Sequence, residues 1–252
     1  LYSLLAVIAA ISSVAPSYAS DTTKVNFTYN LDYETRFDNR EFFRSAFTRS
    51  MTIFGARLTP SVGVELSQPD NGMSHRMMVG IDIMKDFGAS PVSEGLAGTD
   101  SPETLSRQHN LDLLREVIMY YRIEKRTAET TLGLYAGIFP RSAAEGAYSE
   151  AFFSDSLRFY DNNLEGILFK VTRPKSYFEV GCDWLGKQGI ARKEKFMIFS
   201  AAEKAVTKSF HLGYAAYMYH FAGSKKARGV VDNILMNPYA RLDLSDVLSL
   251  DR

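Results

Sequence analysis

Residues 24–37, KVNFTYNLDYETRF, alternate between apolar and polar side chains with almost no exception. Every second position from 25 to 37 is apolar or aromatic apart from Thr35, and every intervening position is polar or charged. Successive side chains of a strand point to opposite faces, so this period of two predicts a strand with one apolar and one polar face. The apolar face can border either a protein core or lipid.

The same alternation returns along the rest of the chain and predicts about nine or ten strands in all. The further strands are expected around residues 62–66, 77–84, 116–124, 132–138, 167–171, 178–184, 194–200, 209–221 and 231–244. Pro69 and Asn71-Gly72 mark a hairpin turn, because proline fixes φ and Asn-Gly favours positive φ. No segment has the pattern of an amphipathic helix, so the sequence predicts an all-β, antiparallel up-and-down fold.

The lengths of strands and connections favour lipid as the neighbour of the apolar faces. Strands of soluble sandwiches have about 5–6 residues, whereas bilayer-spanning strands need about 9–11. The connection at 125–129 is short and the next, at 140–163, is long, as in barrels with brief periplasmic turns and longer external loops. We therefore expect a transmembrane β-barrel. A soluble β-sandwich or jelly roll, which also alternates, is the alternative.

The first residues resemble an export signal. An apolar stretch at residues 4–11 is followed by small residues at Ser17 and Ala19, which suit cleavage after Ala19. This divides the chain into a signal peptide at 1–19 and a β-barrel domain at 20–252, located in the outer membrane. The sequence does not begin with methionine, and it does not end in a strand with a terminal aromatic residue. We therefore expect it to be an N-terminal portion of a longer barrel, truncated at its C-terminus.

Charge and cysteine content exclude several classes of protein. Lys plus Arg and Asp plus Glu are both 29, without a basic run, which argues against a nucleic-acid partner. The single Cys182 rules out an intrachain disulfide. His211 and His220 are nine residues apart and would face opposite sides of one strand. We therefore expect no metal site and no cofactor.

Four segments carry a resemblance to known proteins: GLYAGIFPR (133–141), SEAFFSDSLRFYDNNLEGILFK (149–170), DWLGKQG (183–189) and HFAGSKKARGVVDNILMNPY (220–239). They resemble the porin-like outer-membrane β-barrel proteins of Gram-negative bacteria. In that family a strand ending in Gly-x-Phe-Pro-Arg precedes a long loop and a strand that starts near Glu-Gly. The resemblance implies an aqueous channel through the barrel.

Strand parity gives the candidate site residues. The expected pore-lining residues are Asn30, Asp32, Glu34, Arg36, Asp82, Arg122, Glu124, Lys170, Glu179 and Asp183. The expected loop constriction, if the 140–163 loop folds inward, consists of Arg141, Glu145, Arg158 and Asp161. An ordinary solvated loop is the alternative. Glu179 and Asp183 lie roughly 13 Å apart along one strand, too far for a glycosidase pair.

These observations predict a passive, non-enzymatic porin-like channel for small polar solutes. Its expected partners are outer-membrane lipid and those solutes, with no nucleic acid, and a homo-oligomer is left open. The first alternative is a secreted or periplasmic all-β protein that binds or acts on carbohydrate. The second is a non-transporting surface barrel with an adhesive or assembly role.

Overall fold

The computed structural model describes residues 23–43, 51–87, 114–190, 192–224, 226 and 228–245. The expected signal peptide, residues 1–19, lies outside the described residues, as does His109, one of the four histidines of the chain. The division into a signal peptide and a barrel domain therefore stays a prediction.

The described residues form ten strands and two short helices. The strands are β1 (Lys24–Arg40), β2 (Met51–Gln68), β3 (Met73–Asp86), β4 (Leu114–Arg126), β5 (Thr131–Pro140), β6 (Asn163–Arg173), β7 (Ser176–Gly186), β8 (Lys195–Ala205), β9 (Phe210–Phe221) and β10 (Val231–Leu242). A 3-10 turn at Arg141–Ala143 and the helix α1 (Asp155–Tyr160) lie between β5 and β6. No helix in the described part of the chain is long and apolar enough to cross a membrane.

The ten strands make one sheet in which each strand pairs with its sequence neighbours in antiparallel fashion, from β1 to β10. The predicted all-β, antiparallel up-and-down fold is thereby confirmed, and the ten strands agree with the expected nine or ten. Within the described residues β1 and β10 are the two edges of the sheet. The strands have 10 to 18 residues, enough for the span of about 9–11 that a bilayer requires.

The connections fall into two classes at opposite ends of the sheet. The short turns, residues 69–72, 127–130, 174–175 and 206–209, join hairpins at one end. The connections at the other end, residues 41–50, 87–113, 141–162, 187–194 and 222–230, are longer. We call these the short-turn end and the long-loop end. The predicted alternation of short and long connections therefore runs through the whole sheet.

The two faces of the sheet differ in chemistry as the alternation predicted. One face, which we call the outer face, exposes large apolar side chains such as Val62, Val64, Met77 and Val79. The opposite, inner face holds the buried polar side chains, among them Asp82, which is fully buried. Register shifts occur between Asp82 and Ile83 and between Trp184 and Gly186, both close to strand ends, so the parity of the strand centres is preserved.

Residues 141–162, which we call the inner segment, pack against the inner face. Tyr148, Phe152 and Phe153 of this segment join a buried cluster with Phe199 of β8 and Ala215 of β9. The helix α1 begins after Ser154, whose hydroxyl accepts a hydrogen bond from the backbone N–H of Leu157. The inner segment therefore contributes much of the buried core on the inner face of the sheet.

Candidate functional site

The register places all ten expected pore-lining residues on the inner face. On the edge strand β1, Asn30, Asp32, Glu34 and Arg36 face the same side as their β2 partners Ser61, Thr59, Arg57 and Gly55. The remaining six lie on β3, β4, β6 and β7: Asp82, Arg122, Glu124, Lys170, Glu179 and Asp183. The ten residues thus share one face of one sheet. Most of those on β3 to β7 form specific ion pairs or hydrogen bonds there.

A buried ion pair fixes the start of the inner segment. The Nη1 atom of Arg141 lies 2.8 Å from Oδ2 of Asp183 on β7. The other guanidinium nitrogens donate to backbone carbonyls, Nε to Asp161 at 2.9 Å and Nη2 to Asn163 at 2.9 Å. The second carboxylate oxygen of Asp183 accepts the backbone N–H of Glu165 at 3.1 Å. Because both charges are paired and hydrogen-bonded, this group holds the segment in place.

A second buried network ties the end of the inner segment to β2, β3 and β4. Arg57 meets Asp82 in a two-point contact, Nε to Oδ1 at 2.7 Å and Nη2 to Oδ2 at 2.8 Å. Its Nη1 also donates to the backbone carbonyl of Phe159. The Nδ2 atom of Asn163 donates to Asp82 at 2.9 Å and to Glu116 at 2.8 Å. This network orders the long-loop end of the inner face.

Glu179 and Lys170 bind the middle of the inner segment. The Glu179 carboxylate accepts the backbone N–H groups of Glu145 at 3.1 Å and Gly146 at 2.8 Å. Lys170 Nζ contacts the Ala143 carbonyl at 2.9 Å and the Glu145 carboxylate at 2.8 Å. These two residues act as docking groups for backbone, a role that parity alone does not indicate.

The four residues expected to form a loop constriction have different surroundings. Arg141 is buried, Glu145 is largely exposed at its carboxylate, and Asp161 lies 3.3 Å from Arg141. Burial raises the pKa of Asp161, and the Arg141 guanidinium opposes the shift. Arg158 donates to the Tyr148 carbonyl at 3.3 Å and stands over the Phe153 ring. The loop folds inward, as the constriction hypothesis required, but it packs as a core element.

Buried apolar side chains cover much of the inner face along β5 to β9. Phe139, Leu164, Leu168, Met197 and Phe199 of the strands are buried. Aromatic contacts connect them with the inner segment, with ring centroids 5.5 Å apart for Phe153 and Phe199. A water-filled path needs polar walls around an open lumen, whereas here the inner segment packs against the strands and the polar side chains Lys170, Glu179 and Asp183 bind that segment.

The outer face carries a row of four side chains near the long-loop end, which we call the outer row: Trp184, Phe196, His220 and Asp232. Each residue pairs directly with the next across β7, β8, β9 and β10. The Trp184 and Phe196 rings stack at 5.4 Å, and Phe196 stacks on His220 at 4.7 Å. The row ends in a hydrogen bond of 2.7 Å between His220 Nδ1 and Asp232 Oδ1.

The His220–Asp232 pair has the geometry of a base and the group that orients it. When Nδ1–H donates to a carboxylate, Nε2 is the unprotonated nitrogen and can accept a proton from a reactant. No described residue hydrogen-bonds to Nε2. Both side chains are partly accessible. The arrangement can activate a hydroxyl or a water molecule held next to the outer face.

The other described histidines are placed differently. His75 contacts the Tyr121 hydroxyl at 2.5 Å near the short-turn end. His211 lies 3.1 Å from Glu203, which also binds Arg241 at 2.7 Å, again near the short-turn end. Of the three, His220 alone lies on the outer face at the long-loop end. Within the described residues no three metal-binding side chains converge on one point.

Sequence reasoning missed this pair because Asp232 is twelve residues from His220 and belongs to another strand. A hairpin register centred on the 222–230 connection would have placed them opposite each other. The position of Tyr120, Tyr121, Tyr217 and Tyr219 near strand ends also predicts that they are interfacial anchors. For Tyr120, Tyr217 and Tyr219 this is wrong, since they belong to the inner face and pack against the core, whereas Tyr121 pairs with the outer-face residue Met77.

Comparison with known proteins adds the family. Residues 19–240, most of the chain, match the family model described as Lipid A 3'-O-deacylase-type. No curated protein matches the chain. Lipid A is the membrane anchor of lipopolysaccharide, so the match places the chain in the envelope of a Gram-negative bacterium and gives it a lipid partner. The coarser part of the porin resemblance, a Gram-negative β-sheet envelope protein, agrees with this.

The match corrects the functional expectation. The predicted passive, non-enzymatic porin is wrong, and with it transport and the small polar solutes, because the family is named for a deacylase and because the inner face is packed. The carbohydrate-directed alternative also lacks support. A homo-oligomer stays a prediction. The chain belongs to the Lipid A 3'-O-deacylase-type family.

Proposed function

We propose that this protein is an outer-membrane hydrolase that releases an ester-linked acyl chain from a lipid A-type glycolipid. The observation that carries the proposal is the family match over residues 19–240. An apolar outer face on strands of 10 to 18 residues supports a position within the bilayer, where such a substrate resides. Export through the signal peptide at residues 1–19 is part of the proposal.

The orientation in the membrane follows from the connections. Barrels of the outer membrane have short turns on the periplasmic side and longer loops outside. The long-loop end of this sheet therefore faces the exterior, on the side of the outer leaflet. Lipopolysaccharide occupies that leaflet, so a group that acts on it belongs at the long-loop end and on the outer face. His220 and Asp232 meet both conditions.

The expected depth of the outer row in the membrane matches the depth of the ester bonds in a glycolipid. Aromatic side chains collect at the boundary between hydrocarbon and head groups, and Trp184 and Phe196 form such a group beside His220. The ester bonds of a glycolipid join its sugars to its acyl chains, so they lie at this same boundary. A lipid neighbour of the outer row can thus present an ester to His220 without leaving the membrane.

Water is the nucleophile in the proposed reaction. His220 Nε2 takes a proton from water as the water oxygen bonds to the ester carbonyl carbon, and Asp232 stabilises the imidazolium through Nδ1–H. When the tetrahedral intermediate collapses, the bond between the carbonyl carbon and the sugar oxygen breaks. The imidazolium returns the proton to that oxygen. The products are a free fatty acid and a sugar hydroxyl.

The experiment is a deacylation assay on protein refolded in detergent, with lipid A as substrate and mass spectrometry as readout. We expect loss of one acyl chain with wild type. His220→Ala should lower the rate by roughly 10²–10⁴-fold, the usual contribution of a general base, and Asp232→Asn should also lower it. His211→Ala, at the short-turn end, is the matched control and should keep the wild-type rate.

Two results would count against the proposal in different ways. No acyl release by folded wild-type protein would overturn the deacylase function. Wild-type rates in His220→Ala, with acyl release intact, would keep the function and remove the outer-face pair as its site. Folding of each variant is checked by the shift in gel mobility on heating that folded barrels show.

A further inference from the structure

Two neighbouring connections at the long-loop end pack together into one unit, which we call the loop pair: residues 187–194 and 222–230. The Gln188 side chain donates to the Gly223 carbonyl at 2.9 Å, and Lys193 Nζ donates to the Gly229 carbonyl at 2.9 Å. The backbone N–H of Lys226 donates to Ile190 at 3.2 Å. The loops are thus held against each other by side-chain and backbone hydrogen bonds.

The loop pair concentrates positive charge in a chain that is neutral overall. With Lys195, the first residue of β8, it contains seven lysines and arginines and one acid, Glu194. Five of these cations are exposed and make no ion pair with any described residue: Lys187, Arg192, Lys195, Lys226 and Arg228. By contrast, the charges of the inner face are mostly paired, as in Arg57–Asp82 and Arg141–Asp183. Unpaired cations in two loops that contact each other repel one another and favour an anionic ligand.

The position of the loop pair suggests which anion it meets. It directly follows the strand ends that carry the outer row, so its charges lie next to Trp184 and Phe196. Ile190 and Val230 in the loops are 72% and 61% exposed. Apolar side chains between a lipid-facing row and a set of cations are typical of a segment that sits among head groups. The ligand is therefore expected at the membrane surface.

We propose that the loop pair binds the phosphate groups of lipid A-type head groups in the outer leaflet and so positions the glycolipid beside the outer row. Arginine can bind phosphate through two hydrogen bonds and lysine acts as a mobile point charge. His220, two residues before the second loop begins, then lies next to the anchored head group. The inference rests on the proposed function for its substrate, while the binding itself can be measured without turnover.

The test uses Trp184, the single tryptophan of the chain, as an intrinsic fluorescence reporter beside the loop pair. Refolded full-length protein is titrated with mixed micelles that contain either bisphosphorylated lipid A or lipid A stripped of both phosphates. The test variant is Lys226→Glu with Arg228→Glu. The matched control is Lys175→Glu with Lys208→Glu, two exposed lysines in short turns at the opposite end of the sheet.

We expect the loop variant to bind bisphosphorylated lipid A at least about 25-fold more weakly than wild type, since each cation near an anionic surface contributes about fivefold. The control should bind like wild type. Both variants should bind the phosphate-free lipid as wild type does. Inorganic phosphate at millimolar concentration should compete poorly if the head group is the ligand, and competition by it at micromolar concentration would assign the site to free phosphate instead.

Equal affinity of the loop variant and wild type, or equal losses on both lipids, would overturn the inference. The two proposals can fail separately. Phosphate-dependent binding without acyl release would leave the loop pair as a head-group site and remove the hydrolase. Acyl release together with phosphate-independent binding would keep the hydrolase and remove the loop pair as a head-group site.

Discussion

Arg141 and Asp183 form an ion pair of 2.8 Å in which both side chains are 2% exposed. They are 42 residues apart in sequence, one at the start of the inner segment and the other on β7. The pair closes a loop that carries aromatic side chains onto the inner face. Its partners, the carbonyls of Asp161 and Asn163, leave few polar atoms in this contact unsatisfied.

Breaking this pair is expected to destabilise the protein strongly. Arg141→Met leaves Asp183 as a buried uncompensated carboxylate, at a cost of about 3–5 kcal/mol in the free energy of unfolding. Asp183→Leu is expected to cost a similar amount. Urea unfolding of the refolded protein, followed by Trp184 fluorescence, measures both.

The double variant decides whether the pair is the cause. Arg141→Met with Asp183→Leu should cost less than the two single variants together, by at least about 1 kcal/mol. Additivity of the single effects would contradict the coupling. Arg158→Ala, in the same segment but at its partly exposed contact with Tyr148, is the control and should change stability by less than about 1 kcal/mol.

Gly181 on β7 provides space for an aromatic ring of the next strand. A Cβ atom there would lie 2.3 Å from Cζ of Phe199, whose ring packs on Tyr148 and Phe153. Gly181→Ala should therefore displace the ring and cost about 1–3 kcal/mol in urea unfolding. Gly186→Ala, where the nearest atom lies 3.8 Å away on Lys195, is the matched control. Equal stability of both variants would show that Phe199 can move without loss of packing.

The outer face is expected to tolerate no charge at mid-strand. Val79, near the centre of β3, is 46% exposed on this face. Val79→Arg should lower the free energy of unfolding in lipid vesicles by about 2–4 kcal/mol, as for charges at the bilayer midplane. Val79→Ile is the conservative control. If Val79→Arg were neutral in vesicles, the outer face would not border hydrocarbon at this depth.

Tyr148 gives a pH-dependent prediction. Burial, assisted by the nearby Glu179 carboxylate, raises the pKa of its hydroxyl. The folded protein then keeps this proton at a pH above about 10, where an unfolded tyrosine loses it. Stability must therefore fall as pH rises through that range, because the folded state binds more protons than the unfolded state.

Tyr148→Phe should remove this part of the alkaline destabilisation. The Tyr148 hydroxyl has no hydrogen-bond partner among the described residues, so the variant should also be about 1 kcal/mol more stable at neutral pH. Tyr29→Phe, on the exposed outer face of β1, serves as the control. Unfolding curves at pH 7 and above pH 10 measure both effects. An unchanged alkaline slope in Tyr148→Phe would refute the assignment.

Particular residues show where sequence reasoning succeeds. Val79 and Asp82 could be assigned to opposite faces because a strand alternates with a period of two, and this period is a local property that survives the formation of any sheet. The register shifts lie near strand ends, so all ten parity-based residues share the inner face, while their pore-lining role stays a prediction. The fold class followed from the same property repeated along the chain.

Parity could not decide what the inner face encloses. It placed Glu179 and Lys170 on that face, but a water-filled lumen and a docked inner segment both require polar residues there. In the structure the inner segment packs on this face. Glu179 accepts hydrogen bonds from backbone N–H groups of the segment, and Phe153 of the segment belongs to the buried cluster. A loop of 22 residues has many compact conformations, and its sequence alone does not select one.

The sequence by itself therefore determined the strands, their faces and their antiparallel order, because these depend on neighbours two residues apart and on the connections between successive strands. Only the tertiary structure decided that Arg141 meets Asp183 and that His220 meets Asp232. These contacts depend on the register between strands and on the path of the inner segment, and a shift of one residue would separate both pairs.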